Sequence, residues 1–441
     1  MNFSYIYINY FYKNAFLKSI MRVRDYMSLL RTNVIYLIFV QGLNYLIPLI
    51  IFPYLARVLG TENYGSLSFA NSIILYFCIV IDFGFTLSGT KKISILKKQG
   101  LSIDQVFWNI IFAKLMLLSF SIMLMLGLAI FNSKLNNVLY ILLAFTPQLV
   151  ATAIFPLWYF QGIENIKVIL ISQVIAKLSI LPSTFYLVKD EGDIVIAALI
   201  QSCTLLVAAL LSWISIIKHK SIGKPDFRLF KNTFREISDS TSYFIGSLAI
   251  SVYTISTPLL LGFLSSEHEM GIYSAANKFT GALAGLFIVA GGAIFPRVNA
   301  LLVTDETKAF SLLKAIILSQ TFLLLIITFL YIFFNITIIN VLLGDAYLDA
   351  VPLRIPLSIA MFFSVISVIL CNYILVPMGH TKLYYLVPIA VSILHIIYTP
   401  ILIKSLGAVG AAYGLAFSEV ITFTILTGCC VKFNYINKIF K

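Results

Sequence analysis

The residues able to do chemistry in this chain are ionisable groups inside apolar runs. Lys114, Lys177, Lys278 and Lys314, with the titratable His395, lie in long hydrophobic stretches, and Asp82 and Glu419 are the carboxylates found there. A charge near the centre of a bilayer costs at least ~2.5 kcal/mol, so such groups usually face a cavity or a partner. Four lysines against two carboxylates make that interior net positive. A cationic cavity in low dielectric attracts an anion, a phosphate group above all.

Each residue also has a plain structural reading. Lys278 and Lys314 stand within about two turns of their predicted helix ends, so they either snorkel to the interface or face the cavity. Lys114 and Lys177 lie near the middle of their segments and are expected to face inward. Asp82 can pair with Lys91 or Lys92, whereas Glu419 has no cation nearby in sequence. A carboxyl in that setting is either protonated or a proton or sodium site, and these two acids are the candidates for ion coupling. His395 stands five residues before Pro400, as Lys177 stands five before Pro182. That register favours the cavity over a satisfied core histidine. Pro48, Pro53 and Pro258 are the candidate bend and gating residues, because proline frees backbone carbonyls and permits helix bending. Gln41, Asn44, Asn71 and Asn277 add polar surface near the same bends.

These residues sit in a chain that repeats itself. Gly65, Ser68, Ala70 and Asn71 correspond to Gly271, Ser274, Ala276 and Asn277, and Pro48 has a gapped counterpart in Pro258. Lys189, Gly192 and Ala197 likewise match Lys404, Gly407 and Ala412. A helical unit used twice is the signature of a transporter.

Composition puts the elements in lipid. The 441 residues are 60% hydrophobic and 11% charged, against about 25% charged in a typical soluble domain. Spanning a bilayer takes roughly 20 apolar residues, and twelve such segments can be read, near 34–56, 66–88, 105–131, 137–160, 168–188, 194–217, 240–264, 271–295, 309–334, 353–376, 383–403 and 409–432. The expected fold is therefore an all-α integral membrane protein of 12 transmembrane helices, in two six-helix bundles related by a parallel internal repeat. The predicted organisation is a cytoplasmic extension at 1–32, a first bundle at 33–217, an amphipathic linker at 218–238, a second bundle at 239–432 and a tail at 433–441. Met21 and Met27 are alternative starts to Met1, and the first twenty-odd residues read as an upstream extension of little consequence. The first apolar segment is too long for a cleaved leader.

Loop cations set the orientation. One face carries the N-terminal basic residues, Lys91, Lys92, Lys97, Lys98 and the cluster from Lys218 to Arg235; the other has Arg57, Lys134, Lys189, Arg354 and Lys404. The positive-inside rule makes the first face cytoplasmic, with both termini on it. The formal charge of +13 is thus a topology signal, and nucleic acid is not the partner it implies. Phe227, Phe230, Phe234 and Ile237 recur at helical spacing among Arg228, Lys231 and Arg235, the pattern of an interfacial helix strapping the halves together or sensing lipid. The five cysteines read as small membrane hydrophobes without metal spacing. No nucleophile–base pair, metal cluster or phosphate loop appears, so no enzyme, cofactor or metal is expected.

The run Asn33, Gln41, Pro48, Pro53-Tyr54, Arg57, Leu59-Gly60, Tyr64-Gly65, Phe69 and Asp82-Phe83-Gly84-Phe85 resembles the opening of Wzx-type O-antigen flippases. So does Trp158-Tyr159-Phe160-Gln161-Gly162-Ile163-Glu164. These proteins form the polysaccharide-exporter branch of the superfamily that includes the MATE transporters and the lipid II flippase. From about Met27 onward, the resemblance implies a MATE-like two-bundle fold in the bacterial inner membrane. It implies export of an undecaprenyl-pyrophosphate-linked oligosaccharide to the periplasmic leaflet by alternating access. The lipid tail would stay in the bilayer, H+ or Na+ would be the coupling ion, and a glycan polymerase and other assembly proteins would be partners. The competing reading is a MATE-like drug/cation antiporter, which calls for more buried acid than Asp82 and Glu419. An enzyme or a scaffold of a glycan-assembly complex is the reading from another class.

Overall fold

The structure, a computed structural model, describes residues 46–225 and 232–440. The 1–32 extension, Gln41 and Asn44, and Phe227, Arg228, Phe230 and Lys231 of the predicted strap lie outside the described residues. Among the described residues no strand occurs, and eight helices are long and apolar enough to cross a membrane. The major elements are α1 (46–82), α2 (Phe85–Lys98), α3 (Asp104–Phe131), α4 (Ser133–Asn137), α5 (Leu139–Ala144), α6 (Thr146–Ile154), α7 (Leu157–Gly162), α8 (Ile166–Leu187) and α9 (Ile194–Lys218). They continue with α10 (Thr233–Leu264), α11 (Glu267–Thr304), α12 (Glu306–Leu343), α13 (Arg354–Ile369), α14 (Leu383–Lys432) and α15 (Tyr435–Phe440).

Two of the eight are too long to be single crossings. The span Leu46–Lys98 has 53 residues and Leu383–Lys432 has 50. At 1.5 Å per residue each would reach about 75–80 Å if straight, against a hydrocarbon core of ~30 Å. The backbone breaks inside both. Gly60 has φ 71° and Gly84 φ 74° in the first, and Gly407 has φ 57° and ψ −131° in the second. Only glycine enters such regions without strain. The predicted strap ends early: Thr233 already belongs to α10, which runs unbroken through Pro258 to Leu264. Ser266 and Asp305 accept the Glu269 and Lys308 backbone N–H groups and so start α11 and α12.

Among the described residues, three clusters of buried apolar side chains hold the helices together. One collects residues from Phe85 to Ile216 and a second from Phe287 to Ile439. The largest joins both ends of the chain, from Ile47 in α1 to Ala412 in α14. Large apolar side chains such as Ile130, Phe131, Phe322 and Phe333 stay exposed on the outside, where lipid rather than water is the matching solvent. The Trp158–Gly162 motif is helix α7 packed on α2. Thr90 donates to the Trp158 carbonyl at 3.2 Å, and a Cβ on Gly162 would lie 2.6 Å from Ile93.

Connections gather at two ends. At one end Arg57 donates to the terminal carbonyls of α12, at Leu342 (2.8 Å), Asn340 (3.1 Å) and Val341. The Tyr347 hydroxyl donates to the Ala56 and Gly60 carbonyls at 3.1 and 3.2 Å. His268 bridges Thr61 and Asp349 at 2.9 and 3.0 Å. At the other end Lys92 pairs with Glu236 (2.6 Å) and Asp239 (2.9 Å), Ser88 meets Ser240 at 2.7 Å, and Phe83 stacks on Phe244. The Lys92 ammonium, donating to Asp239, holds that carboxyl below the usual carboxylate range.

The tightest approach among the described glycines is between the two related by the sequence repeat. A Cβ on Gly65 would stand 1.8 Å from the Glu267 carbonyl oxygen, and one on Gly271 would stand 2.0 Å from that of Thr61. Each glycine thus faces the carbonyl four residues before the other. The contact is reciprocal, as a local twofold relation between α1 and α11 requires.

Candidate functional site

The first cavity, of about 220 Å³, lies between α1, α6, α8, α9 and α11. Apolar residues of α1 (Ile47, Pro48, Ile51, Phe52 and Leu55) and Ile180 of α8 form much of its wall. Its polar lining is Asn71, Gln148, Lys177, Gln201, Thr204 and Lys278. Among the described residues it therefore presents two cations, three amides and a hydroxyl, and no carboxylate. Lys177 arrives on the middle of α8, one and a half turns before Pro182. Lys278 arrives on α11, eleven residues after Glu267 (278 − 267), or about 16 Å along the axis. The helix begins earlier than the sequence pattern indicates, so Lys278 sits deeper than two turns. Its ammonium stands 5.0 Å from the centroid of the Tyr64 ring.

The other predicted site residues lie elsewhere. Lys114 is buried in α3 and forms an ion pair with Asp82 at 3.0 Å, so Asp82 pairs across helices rather than with Lys91 or Lys92. Thr86 also donates to Asp82, at 2.8 Å. Lys314 reaches the Phe440 carbonyl at 3.4 Å, beside α15. His395 is fully buried in α14: Thr257 meets Nε2 at 3.0 Å, and Ser418 (2.7 Å) and Thr399 (3.1 Å) meet Nδ1. Pro48 is on the cavity wall, Pro53 is half-buried one turn further along α1, and Pro258 follows Thr257 directly.

Glu419 lines a second cavity, of about 290 Å³, between α13 and α14. Its neighbours there include Ser367, Cys371, Asn372, Tyr384, Pro388 and Thr422. The chain forms a π-helical turn at Leu370–Leu375 beside it, and Ser367 Oγ is buried without a hydrogen-bond partner. A π turn loosens the regular carbonyl ladder and recurs at functional sites. Oxygen donors with one carboxylate suit a hard cation or a proton.

Gln148, Gln201 and Thr204 are absent from the sequence-based candidates. Isolated amides in apolar helices carry no periodic signal, and only their convergence marks them. Gln148 is held from behind by Cys78, with Thr152 donating to the same sulfur at 3.3 Å.

The chain is similar in sequence and fold to known proteins. The family model described as "Polysaccharide biosynthesis protein" matches residues 30–302. A protein of Escherichia coli (strain K12) named "Putative O-antigen transporter" is 32% identical over 90% of this chain and 95% of its own. One of the same name from Shigella dysenteriae is 29% identical over 89% and 98%. Among solved structures, "Lipid II flippase MurJ, inward closed conformation" superposes with a TM-score of 0.65 at 16% identity, over 90% of this chain and 86% of that one. An inward-facing multidrug-resistance MATE transporter gives 0.62 at 12% identity, over 86% and 96%. At those identities the likeness is one of fold. The chain therefore belongs to the polysaccharide biosynthesis protein family, in the Wzx-type exporter branch with the relatives named as O-antigen transporters.

Proposed function

We propose that this protein is a flippase for an undecaprenyl-pyrophosphate-linked oligosaccharide, an O-antigen or similar surface-glycan repeat unit. It moves the headgroup from the cytoplasmic to the periplasmic leaflet by alternating access. One observation carries the reading. Lys177 and Lys278 share a cavity with three amides and, among its described residues, no carboxylate. Two ammonium groups, Lys177 half-buried and Lys278 exposed, suit a pyrophosphate, and the amides suit the hydroxyls of the attached sugar. At about 220 Å³ the space is smaller than a typical ligand pocket of 300–1,000 Å³. It takes the headgroup and leaves the rest of the glycan and the lipid tail outside.

A twelve-crossing topology fits the same reading. Breaking Leu46–Lys98 at Gly60 and Leu383–Lys432 at Gly407 turns two over-long helices into four crossings. Counting α10 and α11 singly then gives six crossings per half among the described residues. The end with the Arg57 and Tyr347 contacts is the outer one by the positive-inside rule, which puts both termini in the cytoplasm of a bacterial inner-membrane protein. Closed outer contacts describe a state not open to the periplasm. Glu419 and the few polar groups beside it are the place for a coupling H+ or Na+, since Asp82 is already paired with Lys114. A drug/cation antiporter would want acid in the first cavity, where the described lining carries lysine.

The test is complementation of a deletion strain. Lys177→Ala/Lys278→Ala is expected to be produced and inserted at normal levels, to lose surface glycan about tenfold or more, and to accumulate the lipid-linked intermediate. Normal glycan in that strain removes the cavity mechanism.

A further inference from the structure

We propose that Tyr64 is a positioning residue for Lys278, through which an anion in the cavity loosens the closed outer end. The proposal rests on the reading of the first cavity as a phosphate site.

Lys278 and Tyr64 come from opposite halves of the chain, on α11 and α1. The ammonium lies 5.0 Å from the ring centroid, within the range of a cation–π contact. Lys177 also lines the cavity, but from the same half as Tyr64. Lys278 is thus a lining cation that links the cavity to the opposite half.

Tyr64 is itself part of the outer closure. It is fully buried, and its ring meets Tyr347 edge-on at 6.5 Å and 76°. Tyr347 in turn donates to the Ala56 and Gly60 carbonyls. The next residue, Gly65, makes the backbone approach to Glu267 and Gly271 that leaves no room for a methyl group. The Tyr64 hydroxyl is buried without a hydrogen-bond partner, so the ring face, rather than the hydroxyl, makes the contact that matters here.

Lys278 then has two competing partners. In this structure its ammonium rests on the electron-rich face of Tyr64, a contact that ties α11 to α1. A phosphate offers charge-assisted hydrogen bonds, which outcompete the ring quadrupole. The flexible four-carbon stem of lysine allows the exchange. When the anion draws Lys278 away, the closure loses one cross-half contact. A ligand shifts a two-state equilibrium only through a difference in interaction with the two states, and this exchange supplies such a difference. The arrangement favours outward opening of the loaded carrier over the empty one.

The experiment uses the full chain in nanodiscs with Thr61→Cys as reporter. Maleimide labelling at position 61 is read by peptide mass spectrometry, which separates it from the five native cysteines, and the probe is geranyl pyrophosphate. Labelling of the parent is expected to rise several-fold with the probe, and Tyr64→Phe to behave likewise. Tyr64→Leu should label faster without probe, respond little to it, and bind it more tightly, because Lys278 is no longer held back; coupling between two equilibria is reciprocal. Simple structural damage would weaken binding instead. Should Tyr64→Leu fail to fold, 3,4,5-trifluorophenylalanine at position 64 keeps the shape while removing the electron density, and the same pattern is expected. A wild-type response in either variant overturns the proposal. If the parent binds the probe but labelling does not change, the coupling alone is overturned; if the parent does not bind it, the phosphate reading of the cavity falls as well.

Discussion

Lys114 and Lys177 look alike in sequence, each a single lysine near the middle of an apolar helix, and their surroundings separate them. Lys114 is buried against Asp82, whereas Lys177 lines a cavity with Lys278. Removing one partner of a fully buried pair costs about 3–5 kcal/mol, and replacing both by apolar groups is often neutral. The Asp82 side chain keeps 29% exposure, so Asp82→Ala is expected to cost less, about 2 kcal/mol. Asp82→Ala/Lys114→Met should recover most of that loss in thermal unfolding in detergent. A double variant no more stable than the single one would remove the pair as a stability element. The pairing is invisible in sequence because its partners stand 32 positions apart on different helices, while Lys91 and Lys92 are nearer in number. Lys92 turns instead to Glu236 and Asp239. Lys177, Lys278, Asn71 and Pro48 could all be singled out from the chain, since a charge, an amide or a proline in an apolar run is conspicuous by itself. Their common cavity could not, because it depends on how five helices pack.

Among the elements, the helix interruptions carry the most information. Gly407 adopts a backbone conformation open to glycine, and the Glu269 carboxylate stands against it. Gly407→Ala is expected to destabilise by about 1–3 kcal/mol, seen as a lower Tm, and an unchanged Tm would contradict the turn. Gly271→Ala acts differently, since its methyl must push the Thr61 carbonyl away. It should spread α1 from α11 and raise labelling of Thr61→Cys in the absence of ligand. Labelling at the parental rate would show that the contact has slack. The repeat that pairs Gly65 with Gly271 is readable in the sequence from offset alone. That the two copies touch each other is a property of the packed helices. Helix boundaries fared less well, because α11 starts four residues before its apolar stretch, at a cap made by Ser266.

For the whole molecule, the charge distribution and the contact pattern point the same way. The end sealed by Arg57, Tyr347 and His268 is poor in lysine, and the end with Lys92, Lys97 and Lys438 is rich in it. Cysteines replacing Lys404 and Lys220 are accordingly expected to react with a membrane-impermeant maleimide from the outside and from the inside respectively. Reversed labelling would invert the proposed direction of transport. Lys177 and Lys278, from opposite halves, are proposed to carry an anionic lipid headgroup across oil. The most direct measurement is the initial rate of translocation of a fluorescent polyprenyl-pyrophosphate-linked sugar in proteoliposomes, with parent protein and with Lys177→Gln/Lys278→Gln at equal reconstitution. A fall of about tenfold or more in the folded double variant is the predicted result, and translocation at the parental rate would contradict it.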